Sequence, residues 1–239
     1  MQSVFTFISP PALCEYLRDR QWQLEYEVVG QLTPAEYMDR LKRGWRRFGF
    51  AMFRPACPSC RMCQTLRVPV ATFRPSRSQR RAWTANIDAL SLQIGAPASS
   101  DEKLALRDAF QCYQATDKGW PQESADYDET FVENPFPTEE WCYYLGDRLI
   151  AVGYVDRLPE GLSAIYFYYD PSERQRSLGT FNVLAVIAAA RARDLPHAYL
   201  GYYVEGCRSL EYKARFSPNE VLLPTGEWHP FSARRAITR

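Results

Sequence analysis

The chain predicts an α/β protein of the α+β kind, built on a mixed sheet, and three observations carry that expectation. The first is a run of three apolar and aromatic segments, WCYYLG, RLIAVGYVDRL and LSAIYFYYD, separated by the turn formers Gly146-Asp147 and Pro159-Glu160-Gly161. The second is the long apolar-faced helix pattern SLGTFNVLAVIAAARARDL, followed by the strand pattern HAYLGYYV. Strand, helix and strand in that order are the signature of a crossover between parallel strands. The third is size and composition: 239 residues, 46% of them apolar, are enough to bury a full core.

From the N-terminus, Thr33 is a good N-cap, Pro34 suits a first helical turn, and AEYMDRLKRGWRRF then predicts a helix. AMFRP is a short extended piece, and LRVPVATF alternates as a strand does. PSRSQRRAWTANIDAL predicts a second, basic helix capped by Ser76 or Ser78. SLQIG is a brief strand, and DEKLALRDAFQCYQATDKG an amphipathic helix with the acidic start that the helix dipole favours. A shorter helix surrounds Tyr127 to Glu133, before the PFP break. Beyond the meander and crossover, CRSLEYKARF is a last short helix and EVLLPTGEWHPF closes as a hairpin.

Charge is strongly segregated along this chain. From Arg40 to Arg81 it carries twelve Arg and Lys and no Asp or Glu, leaving 17 basic against 28 acidic residues elsewhere and a net charge of only +1. Nearly all of the twelve are arginine, whose planar fork matches phosphate, so the segment predicts a polyanionic partner over a merely solvated face. No apolar run approaches the roughly 18 residues needed to span a bilayer, and the N-terminus has no secretory pattern. The expectation is a cytoplasmic protein with no membrane partner.

Seven cysteines, an odd number without signs of export, predict reduced thiols, which favour metal or cluster binding over disulfides. Cys57, Cys60 and Cys63 stand as C-x2-C-x2-C among prolines that break a helical register. That spacing matches the first three ligands of a bacterial iron–sulfur run, and a tetrahedral site needs a fourth from elsewhere. Zinc on the same thiolates is the competing occupant, and packed structural thiols are the plain alternative. Cys112 and Cys142, within a helix and a strand, read as core.

The meander feeding one crossover resembles the acyltransferase fold of the GCN5-related N-acetyltransferases. In those enzymes a glycine-rich loop before the crossover helix cradles the coenzyme A pyrophosphate. Here Arg174 to Thr180, RQRSLGT, has one glycine and matches that loop poorly, although a helix start remains a ready anion site. Tyr199 to Cys207, YLGYYVEGC, followed by YKARF (212–216), is similar to the aminoacyl-tRNA–protein transferases of the N-degron pathway. CEYLRDR (14–20), GWRRFGFAMFRPACPSCRMC (44–63), LRVPVATFRPSRSQRR (66–81), SLGT (177–180) and the tail EWHPF agree in order. The compact length and the C-x2-C-x2-C knuckle most resemble the bacterial aspartate/glutamate leucyltransferase branch. Phe48, where that family usually has serine, and Leu210, where methionine is common, depart from the pattern.

The resemblance implies transfer of an aminoacyl group, leucyl in the bacterial branch, from charged tRNA to the α-amine of a protein beginning with Asp or Glu, marking that protein for degradation. Arginyl-tRNA as donor, a coenzyme A-dependent N-acetyltransferase and a non-catalytic RNA-binding module are the alternatives. It also implies an N-terminal Cys/Arg-rich subdomain (1–90, for tRNA and metal) preceding an acyltransferase-like domain (91–239), with Cys14 as the fourth thiol. No cofactor is needed for the chemistry, because the donor ester is activated and an N-terminal amine, with a pKa of about 7.7 to 8.0, is partly neutral near pH 7.

The candidate residues follow from that reaction. Glu205 or Asp170 holds or deprotonates the amine, and Tyr212 and Lys213 complete the catalytic set. Lys213 and Arg215 are the cations for an acidic side chain, with Arg77 and Arg81 as alternates, though Lys213 has Glu211 nearby in sequence as a surface partner. Arg46, Arg47, Arg67, Arg77, Arg80 and Arg81 bind tRNA, with Ser177, Gly179 and Thr180 at the helix start. Tyr168, Tyr169, Tyr202 and Tyr203 are candidates to stack on the terminal adenosine, at least half of them facing the core instead. His197 and His229 read as structural, and Cys207 lacks the histidine partner of a nucleophile.

Overall fold

The computed structural model describes residues 2–119 and 125–231. Its N-terminal residues form strands that the sequence did not predict: β1 (Gln2–Ile8), β2 (Ala12–Leu13), β3 (Gln21–Trp22) and β4 (Leu24–Gln31). Helix α1 (Pro34–Lys42) starts as expected, with Thr33 and Glu36 in a reciprocal capping box and Pro34 in the first turn. It stops at Lys42 instead of running on to Phe48. Gly44, at φ 84°, turns the chain, and Arg46–Phe48 become strand β5. With β6 (Ala51–Pro55) it completes an antiparallel sheet in the order β1-β4-β6-β5.

The remaining elements fall close to their predicted places. They are β7 (Gln64–Pro69), α2 (Arg77–Thr84, capped by Ser76), β8 (Ser91–Gly95), α3 (Asp101–Lys118), β9 (Thr138–Leu145), β10 (Arg148–Leu158), β11 (Gly161–Tyr169), α4 (Leu178–Ala192) and β12 (His197–Tyr203). A short helix, α5 (Arg208–Glu211), leads into a 3-10 turn (Tyr212–Arg215) and the hairpin β13 (Asn219–Leu222) and β14 (Trp228–Phe231). One eight-stranded mixed sheet runs β14-β13-β7-β12-β11-β10-β9-β8. Its β11–β12 pair, joined through α4, is parallel, and the other pairs are antiparallel. The expected mixed α+β architecture is therefore present.

Alternation along β10 puts a helix layer on each face of this sheet. Val152 and Tyr154 share a core with Leu106 and Phe110 of α3, while Ala151 and Val155 share another with Val183 and Ile187 of α4. Cys142 is buried in the first of these, as expected. Cys112 is exposed, contrary to expectation, because it falls off the inward stripe of α3. A third core, with Tyr37, Met38 and Leu41 of α1, Val29, Met52, Leu158 and Tyr199, joins the small sheet to the large one. Strand β7 lies between β13 and β12, so residues before and after 90 share the large sheet. Among the described residues no helix is long and apolar enough to cross a membrane.

Candidate active site and cysteine cluster

The parallel pair in the large sheet opens partway along its length. Gly161–Ser163 of β11 pair with His197–Tyr199 of β12, and the register goes no further. Beyond it β11 follows β10 to Tyr169, while β12 follows β7 through a bulge between Tyr199 and Gly201, where Gly201 takes φ 85°. The strands part like the arms of a V. Such a break beside parallel strands leaves unpaired backbone groups in a crevice, the usual place for a ligand in an open sheet.

Two cations border this gap. Lys213, on the turn after α5, donates to the Tyr202 carbonyl at 3.1 Å, not to Glu211. A Cβ at Gly201 would sit 3.2 Å from the Lys213 Nζ, so the glycine makes room for the ammonium. Burial first, and the Arg46 guanidinium second, lower the Lys213 pKa to about 7, opposed by Cys207. Arg46 is 6% exposed, with its guanidinium 5.8 Å from the centre of the Tyr202 ring. Its Nη1 lies 3.5 Å from Ser163 Oγ, a marginal hydrogen bond at the point where β11 and β12 separate.

The other predicted catalytic residues divide. Tyr212 packs edge-on against Phe216, and burial first and Tyr169 second push its hydroxyl up to about 12. Glu205 is exposed just past the end of β12, next to Gly206 at φ 82°. Asp170 caps the turn before α4, accepting from Ser172 N–H at 2.9 Å and pairing with Arg148, so its carboxylate is committed to structure. Tyr168 is buried and bonded at 2.8 Å to Tyr127, while Tyr203 packs on Phe231, so neither offers a face for stacking. His197 is half-buried, with burial lowering its pKa, and His229 is exposed beside Glu227.

The basic segment separates into paired and unpaired cations. Arg40, Lys42, Arg43, Arg47, Arg54 and Arg67 form ion pairs with Glu27, Glu160, Asp39, Asp156, Glu25 and Glu220. Arg47, at 2% exposure, is enclosed with Asp156, Thr138 and Asn134, and Arg67 lies 4.2 Å over the Trp228 ring. Arg46 and Arg47 are thus inside the protein and Arg67 is occupied, so these three do not sit on the phosphate-binding face expected of them. Arg77, Arg80 and Arg81 are exposed on α2, with no ion pair among the described residues. Gln79 of α2 donates to the Arg215 carbonyl at 3.1 Å and Asn86 to the Arg176 carbonyl at 2.9 Å. These bonds hold the arginine helix beside exposed Arg215 and the chain leading into α4. There Ser177 is left-handed at φ 57°, and no atom lies within 4 Å of a Cβ built at Gly179. Ser177, Gly179 and Thr180 therefore form an open helix start near unpaired arginines.

Cys14, Cys57, Cys60 and Cys63 line one cavity together with Tyr16, Trp22, Phe53 and Tyr202. Chain segments more than 40 residues apart in sequence meet there. Three of the sulfurs face an N–H donor: Cys14 from Leu17 at 3.4 Å, Cys57 from Gln23 at 3.5 Å and Cys60 from Arg20 at 3.6 Å. N–H···S contacts of this kind support thiolate ligands. Burial first, then Cys14, Cys57, Cys60 and Cys207, push the Cys63 thiol up to about 12, a cost that a bound cation reverses. Among the described residues no three His, Cys, Asp or Glu groups already stand at cation-holding geometry. The four thiols share a cavity and are chemically suited to a thiophilic metal or cluster, but their sulfurs do not stand at ligating geometry.

Sequence reasoning missed the burial of Arg46 and the nearness of Cys207 to the other thiols. No alternation in Trp45-Arg46-Arg47-Phe48 marked the first; the one local signal was Gly44, which ends the helix before it.

Comparison with known proteins gives the chain its relatives. The family model "Arginine-tRNA-protein transferase, N terminus" matches residues 12–81, and "Arginine-tRNA-protein transferase, C terminus" matches 102–223. The aspartate/glutamate leucyltransferase of Campylobacter jejuni (strain 81-176) is 35% identical over 221 residues, 90% of this chain and 91% of its own. That of Pseudomonas fluorescens (strain Pf0-1) is 34% identical over 219 residues, 91% of this chain and 93% of its own. That of Nitrosococcus oceani is 35% identical over 221 residues, covering 90% and 91%. Among solved structures, the C-terminal domain of a putative lysylphosphatidylglycerol synthetase from Agrobacterium fabrum covers 71% of this chain and 58% of its own, at TM-score 0.49 and 14% identity. The matched models and the near-full-length relatives place this chain in the arginine-tRNA-protein transferase family of aminoacyl-transferring enzymes.

Proposed function

We propose that the protein transfers leucine from leucyl-tRNA to the α-amine of proteins whose first residue is Asp or Glu, marking them for degradation. The observation that carries the chemistry is Lys213, an ammonium with its pKa lowered to about 7 beside the gap between β11 and β12. The large sheet serves as an acyltransferase-like platform of the GCN5-related kind, with the aminoacyl ester lying in that gap.

The substrate's α-ammonium gives a proton to neutral Lys213, and the free amine attacks the ester carbonyl. A C–N bond forms, the ester C–O bond to the terminal ribose breaks, and the leaving oxygen takes a proton from Tyr212, which stays protonated at neutral pH. The Lys213 ammonium restores that proton, and the attacking nitrogen releases its second proton to solvent as the amide forms, so the step balances with no redox partner. A lysine poised near 7 suits a weakly acidic ammonium better than a carboxylate would. Glu205, exposed beyond β12, serves to steer the ammonium. Arg77, Arg80, Arg81 and Arg215, with the α4 start at Ser177, Gly179 and Thr180, form the surface for tRNA phosphates.

Cys14, Cys57, Cys60 and Cys63 would hold zinc or an iron–sulfur cluster, which would supply a rigid cross-link between the N-terminal strands, the 57–63 loop and the wall carrying Tyr202. Its contribution would be structural, with no step of the transfer routed through it.

The test is a transfer assay with tRNA charged by radiolabelled leucine or arginine and peptides beginning with Asp, Glu, Lys or Ala. Leucine on the Asp and Glu peptides alone supports the proposal. Arginine on those peptides keeps the mechanism and changes the donor. Transfer from neither tRNA defeats it.

A further inference from the structure

A guanidinium inside a protein normally has an acid, because burial strips its hydration and something must replace it. Arg47 shows the usual arrangement, with both Asp156 oxygens within 2.9 Å of its Nη2. Arg46, its neighbour in β5, is also buried and has no carboxylate at ion-pairing distance among the described residues. Among the described residues its Nε and Nη2 have no hydrogen-bond partner, and Nη1 has only the marginal contact to Ser163 Oγ. The surrounding titratable side chains are Tyr37, Tyr199 and Tyr202, and Arg46 is close enough to Lys213 to act on it electrostatically.

The unused atoms are informative. Nε and Nη2 form the side-on edge of the guanidinium, two parallel N–H donors spaced to meet both oxygens of one carboxylate. Ser163 is the last paired residue of β11, so that edge stands at the closed end of the gap. Lys213 lies further along, beyond the bulge, on the Tyr202 carbonyl.

We propose that the Nε–Nη2 edge of Arg46 is the receptor for the side-chain carboxylate of the acceptor's first residue, holding an Asp or Glu so that its α-amine faces Lys213. The proposal deepens the leucyl-transfer reading and rests on it. A side-chain carboxylate on one or two methylenes presents two coplanar oxygens that match this edge. Asn and Gln have nearly the same shape, but they present an NH2 to a donor edge that wants two acceptors. The buried edge thus discriminates by leaving a wrong substrate unpaired.

The experiment compares kcat/KM for peptides beginning with Asp and with Asn, in the wild type, Arg46→Lys and Arg46→Gln. The wild type is expected to favour Asp by roughly a hundredfold or more. Arg46→Lys, which keeps charge and loses the fork, should cut that preference by about tenfold, and Arg46→Gln should bring it near one. An Arg46 that only supports the fold lowers transfer to both peptides alike, and an unchanged ratio overturns the proposal. Where neither variant folds, a structure of the wild type with an Asp-initiated peptide decides: carboxylate oxygens on Nε and Nη2 support it, and placement elsewhere overturns it. Failure of the wild type to transfer to any acidic peptide defeats the leucyl-transfer reading itself, whereas transfer with a ratio insensitive to position 46 defeats the receptor alone.

Discussion

At the scale of single residues, the proposed mechanism makes Lys213 join stability to activity. Its pKa falls from 10.5 in an unfolded chain to about 7 in the fold. Between those values the unfolded state binds one more proton than the folded state, so stability rises with pH across that window. Below about 7 both states are protonated and the burial penalty is fully present. Lys213→Met should therefore raise Tm at pH 7, flatten the rise of Tm between pH 7 and 10, and lower transfer by at least about a hundredfold. A thermal-unfolding series with pH on both proteins checks this, and parallel Tm curves would show that Lys213 is not buried as described. In the wild type kcat/KM should climb through pH 7 as Lys213 loses its proton. Gly161 tests the start of the gap, since a Cβ there would lie 2.2 Å from the His197 carbonyl oxygen across the parallel pair. Gly161→Ala should cost about 1–3 kcal/mol in urea unfolding, and a change within about 0.5 kcal/mol would mean that the strands pair differently.

At the scale of elements, α2 has a packed face and an exposed arginine face, so the proposed RNA binding can be tested apart from the fold. Its inner face is Gln79, Ala82 and Trp83, which packs against Phe181 of α4, and its outer face is arginine. Replacing Arg77, Arg80 and Arg81 together by Ala should leave Tm nearly unchanged. The slope of log K against log salt for tRNA should become shallower by about 0.7–0.9 for each phosphate that is no longer neutralised. Binding titrations at several salt concentrations read this directly, and an unaltered slope would take α2 out of the RNA surface. β5 makes the opposite point. As helix, GWRRF puts its arginines on a solvated face, whereas as strand it carries Arg46 to Ser163 and Arg47 to Asp156.

At the scale of the whole molecule, two long-range clusters tie the small sheet to the large one. Arg47 of β5 and Asp156 of β10 are enclosed together with Thr138 and Asn134. Removing one partner strands the other charge, so Asp156→Asn should destabilise by about 3–5 kcal/mol, while the apolar double replacement Arg47→Met with Asp156→Leu should cost less than either single change. Equilibrium denaturation of Asp156→Asn, of Arg47→Met and Asp156→Leu alone and of the double replacement tests that ordering. The second cluster is the four-cysteine cavity. Protein purified without oxygen should contain zinc or iron near one site per chain, and Cys14→Ala should lower both metal content and Tm. Metal analysis finding neither element would reduce the cluster to packed thiols.

Local pattern was enough for much of this molecule, because helix caps, alternation and turn formers act within a few residues. Thr33 with Glu36, Ser76 with Gln79, and the meander from Trp141 to Asp170 all lie where short-range chemistry puts them. The motifs of YLGYYVEGC and YKARF likewise sufficed to point to the family, since they mark a chain regardless of its contacts. What short-range pattern could not supply was the partner of each charge. Twelve cations in one stretch read as one surface, yet their acids come from residues as distant as Glu220, and the tertiary fold alone decided which arginines were neutralised. The same holds for β1 to β4, which alternate weakly and exist through pairing with β6 and with each other. The sequence by itself determined the meander, the crossover and the family. Tertiary structure decided that Arg47 is a strut, that Arg77, Arg80 and Arg81 stay exposed without an ion pair among the described residues, and that Arg46 is inside with no acid among them. The physical reason is that burial and pairing are properties of distant neighbours, and a residue's charge has no fixed role until those neighbours are in place.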